Sequence, residues 1–378
     1  RVSGGTRHEY TLQGEANNTT RLVTKLPLDE YGPYLLPEGT PVVEPSSERE
    51  RGSAGGHYYA YAFIRNVKRA ELPNGRYQLT LEGREMGKRA NLHITGFVQS
   101  GGAELFIGEA PSLRGTREMG KDTNDLVDKY WMPKMVLRRE GADLQSTFVT
   151  VMEPESPGLL NIFNRGSRIT DVELLTQERG ENGDVALVIK YGNTEDIILS
   201  TSDPGEPMIL ADMVLQGKLG FIRLEKGKVK EMHLVGGTLL KKGDEELISQ
   251  GPTQGRIMGT LRRSKGDEYD GFITDVEVPK DMEGKYLILS HPKGYTPPFS
   301  LYRDSLPGTG EVNIEPGATH GYKIEEIRRE GAGSLLIIDM DPGFDVNQDG
   351  TSVLEYFPFT IWYGEHTFTI DNVDSLKK

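Results

Sequence analysis

The chain of 378 residues contains no cysteine. Disulfides, thiolate metal sites and cysteine nucleophiles are therefore excluded together, and the redox compartment stays open. Nowhere do eighteen apolar residues run together, and with a hydrophobic fraction of 36% and a mean hydropathy of -0.49 no stretch qualifies as a membrane-spanning helix. No membrane partner is expected. Basic excess is missing too: the formal net charge is -13, which removes the broad cationic surface that general nucleic-acid binding rests on. Nucleic acid is not an expected partner, whereas an anionic sugar needs only a locally basic groove. There is no Gly-x-Ser-x-Gly elbow, phosphate loop, dinucleotide fingerprint or His-Glu-x-x-His motif, and the seven histidines stand singly along the chain. The first residue is Arg1, with no charged segment and apolar run behind it. The expectation is a piece of a longer bacterial protein, periplasmic or secreted, whose export signal is removed or lies upstream.

What is present is strand after strand. Runs of four to eight residues alternate apolar and polar with period two, punctuated by Gly, Pro, Asn and Asp, and helical periodicity is nearly absent. Asn74-Gly75 is the clearest hairpin signal, because both residues accept the positive φ angles of a tight turn. It predicts that the strand from Arg76 pairs with the run Tyr59 to Val67. Val185, Leu187 and Ile189 alternate before Gly192-Asn193, and Ile197 and Leu199 resume the apolar face. Further hairpins are expected around Gly227, Gly236-Gly237, Gly284 and Gly294. Residues 334–339, 357–362 and 365–370 read as buried strands, and Gly115 to Tyr130 as a long polar loop. No fixed-period repeat is present. The predicted fold is all-β: a large antiparallel β-sandwich over residues 1–165, supersandwich-like, followed by a smaller C-terminal β-sandwich over 166–378.

Several segments together resemble the β-rich C-terminal half of the heparinase II/III-like polysaccharide lyases, a family with alginate-lyase relatives. The opening Gly4-Gly5-Thr6-Arg7-His8-Glu9-Tyr10, with Gln13-Gly14, is similar to a family strand in which a Gly-Gly pair precedes His-Asp-Tyr and then His-Gly. Here Glu9 replaces the Asp and Gln13 the second His. Leu92-His93-Ile94, Gly108-Glu109-Ala110-Pro111 and 146–154 resemble the closing strands of the family's central sandwich. Asp341-Pro342-Gly343-Phe344, Tyr356-Phe357-Pro358 and 364–370 resemble its final strands. The resemblance implies an N-terminal α/α toroid, absent from this sequence, set against a central supersandwich. It also implies cleavage of an acidic, uronate-containing polysaccharide, such as a glycosaminoglycan or alginate, by β-elimination. The resemblance implies that this reaction uses Asn, His and Tyr of the toroid together with a histidine early in the central sheet, and the chain is expected to start just downstream of them. The expected role is therefore to scaffold the toroid and line one wall of the cleft. A non-catalytic carbohydrate-binding sandwich is the alternative.

Candidate site residues follow from residue type. His8 and Tyr10 share a strand face and are the catalytic candidates, against a reading as a packed interdomain strand. His57, Tyr58, Tyr59 and Arg65 offer stacking faces and a cation for a sugar carboxylate, and Tyr130 and Trp131 follow the polar loop. These six are the carbohydrate-binding candidates, against core packing. Asp345, Asn347 and Asp349 open an Asp-x-Asn-x-Asp-Gly calcium loop, but position twelve is Tyr356 instead of Glu, and an Asx-rich hairpin turn explains the same residues. Calcium is the one candidate cofactor. Trp362 reads as core.

Overall fold

The computed structural model describes residues 8–11, 19–35, 64–85, 88–111, 117–118, 121–122, 131–155, 167–177, 183–296, 312–314, 319–347, 350–354 and 360–378. Among them every regular element is a strand apart from two single turns of 3-10 helix, and the sheets are antiparallel, so the chain is all-β as the alternating pattern predicts. It divides into two compact units, residues 1–202 with 223–228 and residues 203–222 with 229–378. The expected boundary between 165 and 166 lies outside the described residues, and the strands of 171–200 group with the first unit.

The first unit holds β1 (His8–Thr11), β2 (Thr19–Thr24), β3 (Asp29–Tyr34), β4 (Arg65–Leu72), β5 (Arg76–Glu85), β6 (Lys88–Val98), β7 (Ala103–Pro111), the short pair β8 (Arg117–Glu118) and β9 (Lys121–Asp122), β10 (Trp131–Arg138) and β11 (Phe148–Glu155). These form a five-stranded sheet in the order β1-β2-β5-β6-β11 and a four-stranded sheet in the order β10-β7-β4-β3. Leu22, Leu72, Tyr77, Leu79, Leu105 and Ile107 fill the space between them, each contributing roughly 1.5–3 kcal/mol by leaving water.

The Asn74-Gly75 turn corrects one expectation. It makes no hairpin: β4 pairs with β3 and β7, β5 with β2 and β6, so the turn carries the chain from one sheet to the other. The apolar residues decide this, since Ala70, Leu72, Tyr77 and Leu79 all enter the intersheet core, which flat pairing of β4 with β5 does not achieve. Gly75 has φ 67, and a Cβ there would lie 2.1 Å from the Val98 carbonyl oxygen, so the crossing is open to glycine alone.

The meander β12 (Asp171–Leu174), β13 (Val185–Tyr191) and β14 (Thr194–Ser200) completes the unit. Its two-residue turn at Gly192-Asn193 joins Tyr191 to Thr194 in register, as the sequence predicts. Val172, Leu174 and Leu187 pack on Phe97, Val149 and Val151, on the outer face of the five-stranded sheet. Gln99 fastens the meander there, its Nε2 donating to the carbonyls of Thr176 (2.7 Å) and Asp184 (3.0 Å).

The second unit contains β15 (Met208–Leu210), β16 (Met213–Glu225) as far as Ile222, β17 (Lys228–Lys242) from Val229, β18 (Glu245–Ile248), β19 (Thr253–Leu261), β20 (Gly271–Thr274), β21 (Tyr286–Ser290), β22 (Gly294–Thr296), β23 (Val312–Ile314), β24 (Thr319–Glu330), β25 (Gly333–Ile338), β26 (Phe344–Val346), β27 (Thr351–Leu354), β28 (Ile361–Tyr363), β29 (Thr367–Ile370) and β30 (Val373–Lys377). The strands β19-β20-β25-β24-β21-β29 close into a barrel, and β23-β22-β28-β27-β26 form a five-stranded sheet. Register shifts at Ile257/Gly259 and Ile324/Glu326 bend strands enough for closure. Phe272, Leu287, Leu289, Ile324 and Phe368 share one core with Phe344 and Trp362 of the sheet.

Gly236-Gly237 and Gly294 are not hairpin turns as expected but positions within β17 and β22. At Gly237 a Cβ would meet the Gln216 carbonyl oxygen at 2.2 Å, so the glycine marks a close backbone approach.

Candidate functional site

The outer face of the five-stranded sheet carries an open groove of about 500 Å³. Period-two alternation builds it: Leu79 and Leu81 turn inward to the core, which sends Gln78, Thr80 and Glu82 outward, and on β6 Leu92 and Ile94 do the same for Asn91, His93 and Thr95. Thr80 stands opposite His93 and Glu82 opposite Asn91 across β5 and β6. Ser167 to Val172, entering the meander, form one bank. That bank is anchored by Glu153, whose carboxylate accepts from the Arg168 amide at 2.6 Å and from the Ser167 hydroxyl.

His93 is the centre of the groove's polar chemistry. Its Nε2 lies 3.0 Å from Glu155 Oε2 and its Nδ1 3.1 Å from the Thr80 hydroxyl. A carboxylate only accepts, so Nε2 carries the hydrogen and Nδ1 receives the Thr80 proton. Asn91 Nδ2 donates to the same carboxylate oxygen at 3.1 Å. The other groove acids are also engaged. Glu82 takes two bonds from Arg21, at 3.1 Å and 2.5 Å, and Asp171 lies 3.8 Å from Arg76. Lys25, exposed on the rim, has no carboxylate within ion-pair distance among the described residues.

His8 and Tyr10 lie on β1, the edge of this same sheet, in register with Thr24 and Leu22 of β2. Arg65 and Trp131, far apart in sequence, are brought together on the four-stranded sheet: the Arg65 Cζ sits 3.2 Å from the Trp131 ring centroid, and Arg65 Nε is 3.9 Å from Glu109. His57, Tyr58, Tyr59 and Tyr130 lie outside the described residues. Asp345 and Asn347 sit at the β26–β27 hairpin. The Asp345 carboxylate faces Arg262 Nη1 at 3.3 Å and the Lys265 ammonium, and Asn347 donates its amide to the Thr351 carbonyl at 2.8 Å. The Asn347 bond is a backbone bond of the hairpin, and the Asp345 carboxylate is engaged by two cations. Asp349 lies outside the described residues.

Sequence reasoning passed over Thr80, His93 and Glu155. The signal was present, because His93 alternates against Leu92 and Ile94. The histidines also prove less scattered than the sequence reads. In the second unit His291 Nδ1 lies 3.0 Å from His366 Nδ1, His291 Nε2 2.8 Å from His320 Nδ1, and His366 Nε2 2.5 Å from Ser352 Oγ. His291 is stacked on Trp362, with centroids 4.1 Å apart, and Trp362 is core as predicted. Burial, aided by the charges of His366 and His320, pushes His291 down to about 3. Burial takes His366 down to about 4 and also lowers His320.

No protein-family model matches the chain, and no curated protein matches it.

Proposed function

We propose that this chain is the β-sandwich region of a heparinase II/III-like polysaccharide lyase and that the outer face of its five-stranded sheet lines a cleft for an acidic, uronate-containing polysaccharide. The observation that carries this reading is the groove. It offers a row of hydroxyl and amide groups at the two-residue spacing of a strand, its acids are internally paired, and Lys25 stands on its rim as a cation for a sugar carboxylate. Such a surface suits a polyhydroxyl anion, because each sugar hydroxyl exchanges water for a fixed donor or acceptor.

Proton abstraction at C5 and protonation of the leaving oxygen require a convergent base and acid. In this reading the absent toroid supplies them. The test is incubation with heparan sulfate, hyaluronan and alginate, followed by affinity electrophoresis and by ultraviolet absorbance of the unsaturated uronate product. Retardation without new absorbance is the expected result. Growth of absorbance means that the chain carries its own catalytic site, and absence of retardation by all three glycans removes the groove from the proposal.

A further inference from the structure

The four groups Ser352, His366, His291 and His320 form one unbranched hydrogen-bonded chain from the centre of the second unit to its surface. Ser352, His366 and His291 are buried at 0%, 1% and 3% exposure, whereas His320 is exposed. The chain joins two sheets, since His291, His320 and His366 are on or beside barrel strands and Ser352 is on β27 of the five-stranded sheet.

A neutral imidazole has one N–H and one bare nitrogen, so the chain has two self-consistent orientations. In the inward one, His320 Nδ1–H donates to His291 Nε2, His291 Nδ1–H to His366 Nδ1, and His366 Nε2–H to Ser352 Oγ. In the outward one every donor and acceptor is exchanged, and Ser352 donates to His366. A proton taken from water by His320 on Nε2 fits the inward orientation as it stands, because Nδ1–H is already donating. In the outward one Nε2 already carries its hydrogen, so an added proton goes on Nδ1 and two N–H groups then face each other between His320 and His291.

We propose that this chain is a two-step acid-responsive latch between the barrel and the five-stranded sheet. The first proton, on His320, fixes the inward orientation. A second, on His291 or His366, sets two donors against each other in a buried, aromatic-walled site and releases it. The neighbours of the chain are Trp362, Phe344 and Tyr322. Tyr322 donates its hydroxyl to the Pro342 carbonyl at 2.9 Å, and Glu365, next to His366, is turned outward to Arg256 at 2.6 Å. Beyond the rings themselves no carboxylate or cation among the described residues bears on the three histidines, so no anion is at hand to neutralise the second proton.

The experiment is imidazole and backbone-amide 15N spectroscopy of the uniformly 15N-labelled full chain as pH is lowered from neutral. The expected sequence is that His320 charges first, while His291 holds its hydrogen on Nδ1 and His366 on Nε2. At about pH 4 the signals of the β27 strand are then lost together. His291 or His366 charging in step with His320, or either ring keeping mixed tautomers once His320 is charged, overturns the proposal. The exposed replacement His320→Gln serves as the second arm: it removes the first step and leaves the second in place, and loss of both steps also overturns the latch.

Discussion

Arg65 lies flat over the ring of Trp131, its Cζ 3.2 Å from the centroid, because β4 and β10 both pair with β7 and place Arg65 opposite Glu109 and Trp131 opposite Pro111. Asn66, at φ 52, lies within the register shift between Arg65 and Lys68. One face of the Trp131 ring is thus occupied by a guanidinium. In a double-mutant cycle of Arg65→Met and Trp131→Leu, urea unfolding should give a coupling energy of about 1 kcal/mol. Zero coupling means the stack adds nothing.

Glycan affinity should reside elsewhere. His93→Ala releases the Glu155 carboxylate and the Thr80 hydroxyl that the ring holds in place, and retardation by a uronate polysaccharide should weaken by roughly three- to tenfold, the size of one neutral hydrogen bond. Trp131→Leu should leave retardation unchanged. The reverse pattern moves the binding face from the five-stranded sheet to the four-stranded one.

Gly96 faces Tyr77 across β5 and β6. A Cβ on Gly96 would lie 2.0 Å from Tyr77 Cζ, so Gly96→Ala must displace a side chain that is 1% exposed and break its hydroxyl contact with Thr150 at 2.9 Å. The expected loss of stability is about 3 kcal/mol, measured by denaturant melting. Tyr77→Leu in the same chain should recover part of it, and full stability of Gly96→Ala alone contradicts the close packing described.

Arg262 is 1% exposed and binds Asp341 at 2.7 Å and Asp345 at 3.3 Å. Arg262→Met leaves Asp341 without its cation and Asp345 with Lys265 alone, and the second unit should lose about 3 kcal/mol, read by thermal melting. The variant Arg262→Lys should recover less than half, since an ammonium cannot span both acids in the same fork.

Acid should weaken the second unit before it weakens the first. His291 and His366 ionise near 6.5 when unfolded but at about 3 and about 4 when folded, so the unfolded chain binds more protons below 6.5. The stability due to the neutral rings is complete above that pH and is lost as pH falls toward the folded values. Each ring contributes a slope of up to about 1.4 kcal/mol per pH unit. Urea melts followed at Trp362 between pH 7 and 4 measure it, and a flat profile refutes it.

Strand positions were legible because alternation reports directly which side chains leave water, as at Leu79 and Leu81 or in the fully buried run Gly333–Ile338. Sheet membership was not. Asn74-Gly75 has hairpin chemistry, yet the intersheet core overrides it. The groove was half legible: the outward side of Leu92-His93-Ile94 can be read from spacing, but the bond from His93 to Glu155 needs the β6–β11 register. The histidine chain left no trace in the sequence, since residues 291, 320, 352 and 366 meet only through barrel closure.

That closure orders events in time. The barrel is completed by pairing Thr253 with Ile370 and Leu287 with Ile370, so a nascent chain holds two open strand edges until β29 has been made. Contacts so distant along the chain must overcome loop-closure entropy before any of their packing energy is returned. The second unit should therefore refold in milliseconds to seconds, and its exposed edges before that moment are where a growing chain is most open to pairing with its neighbours.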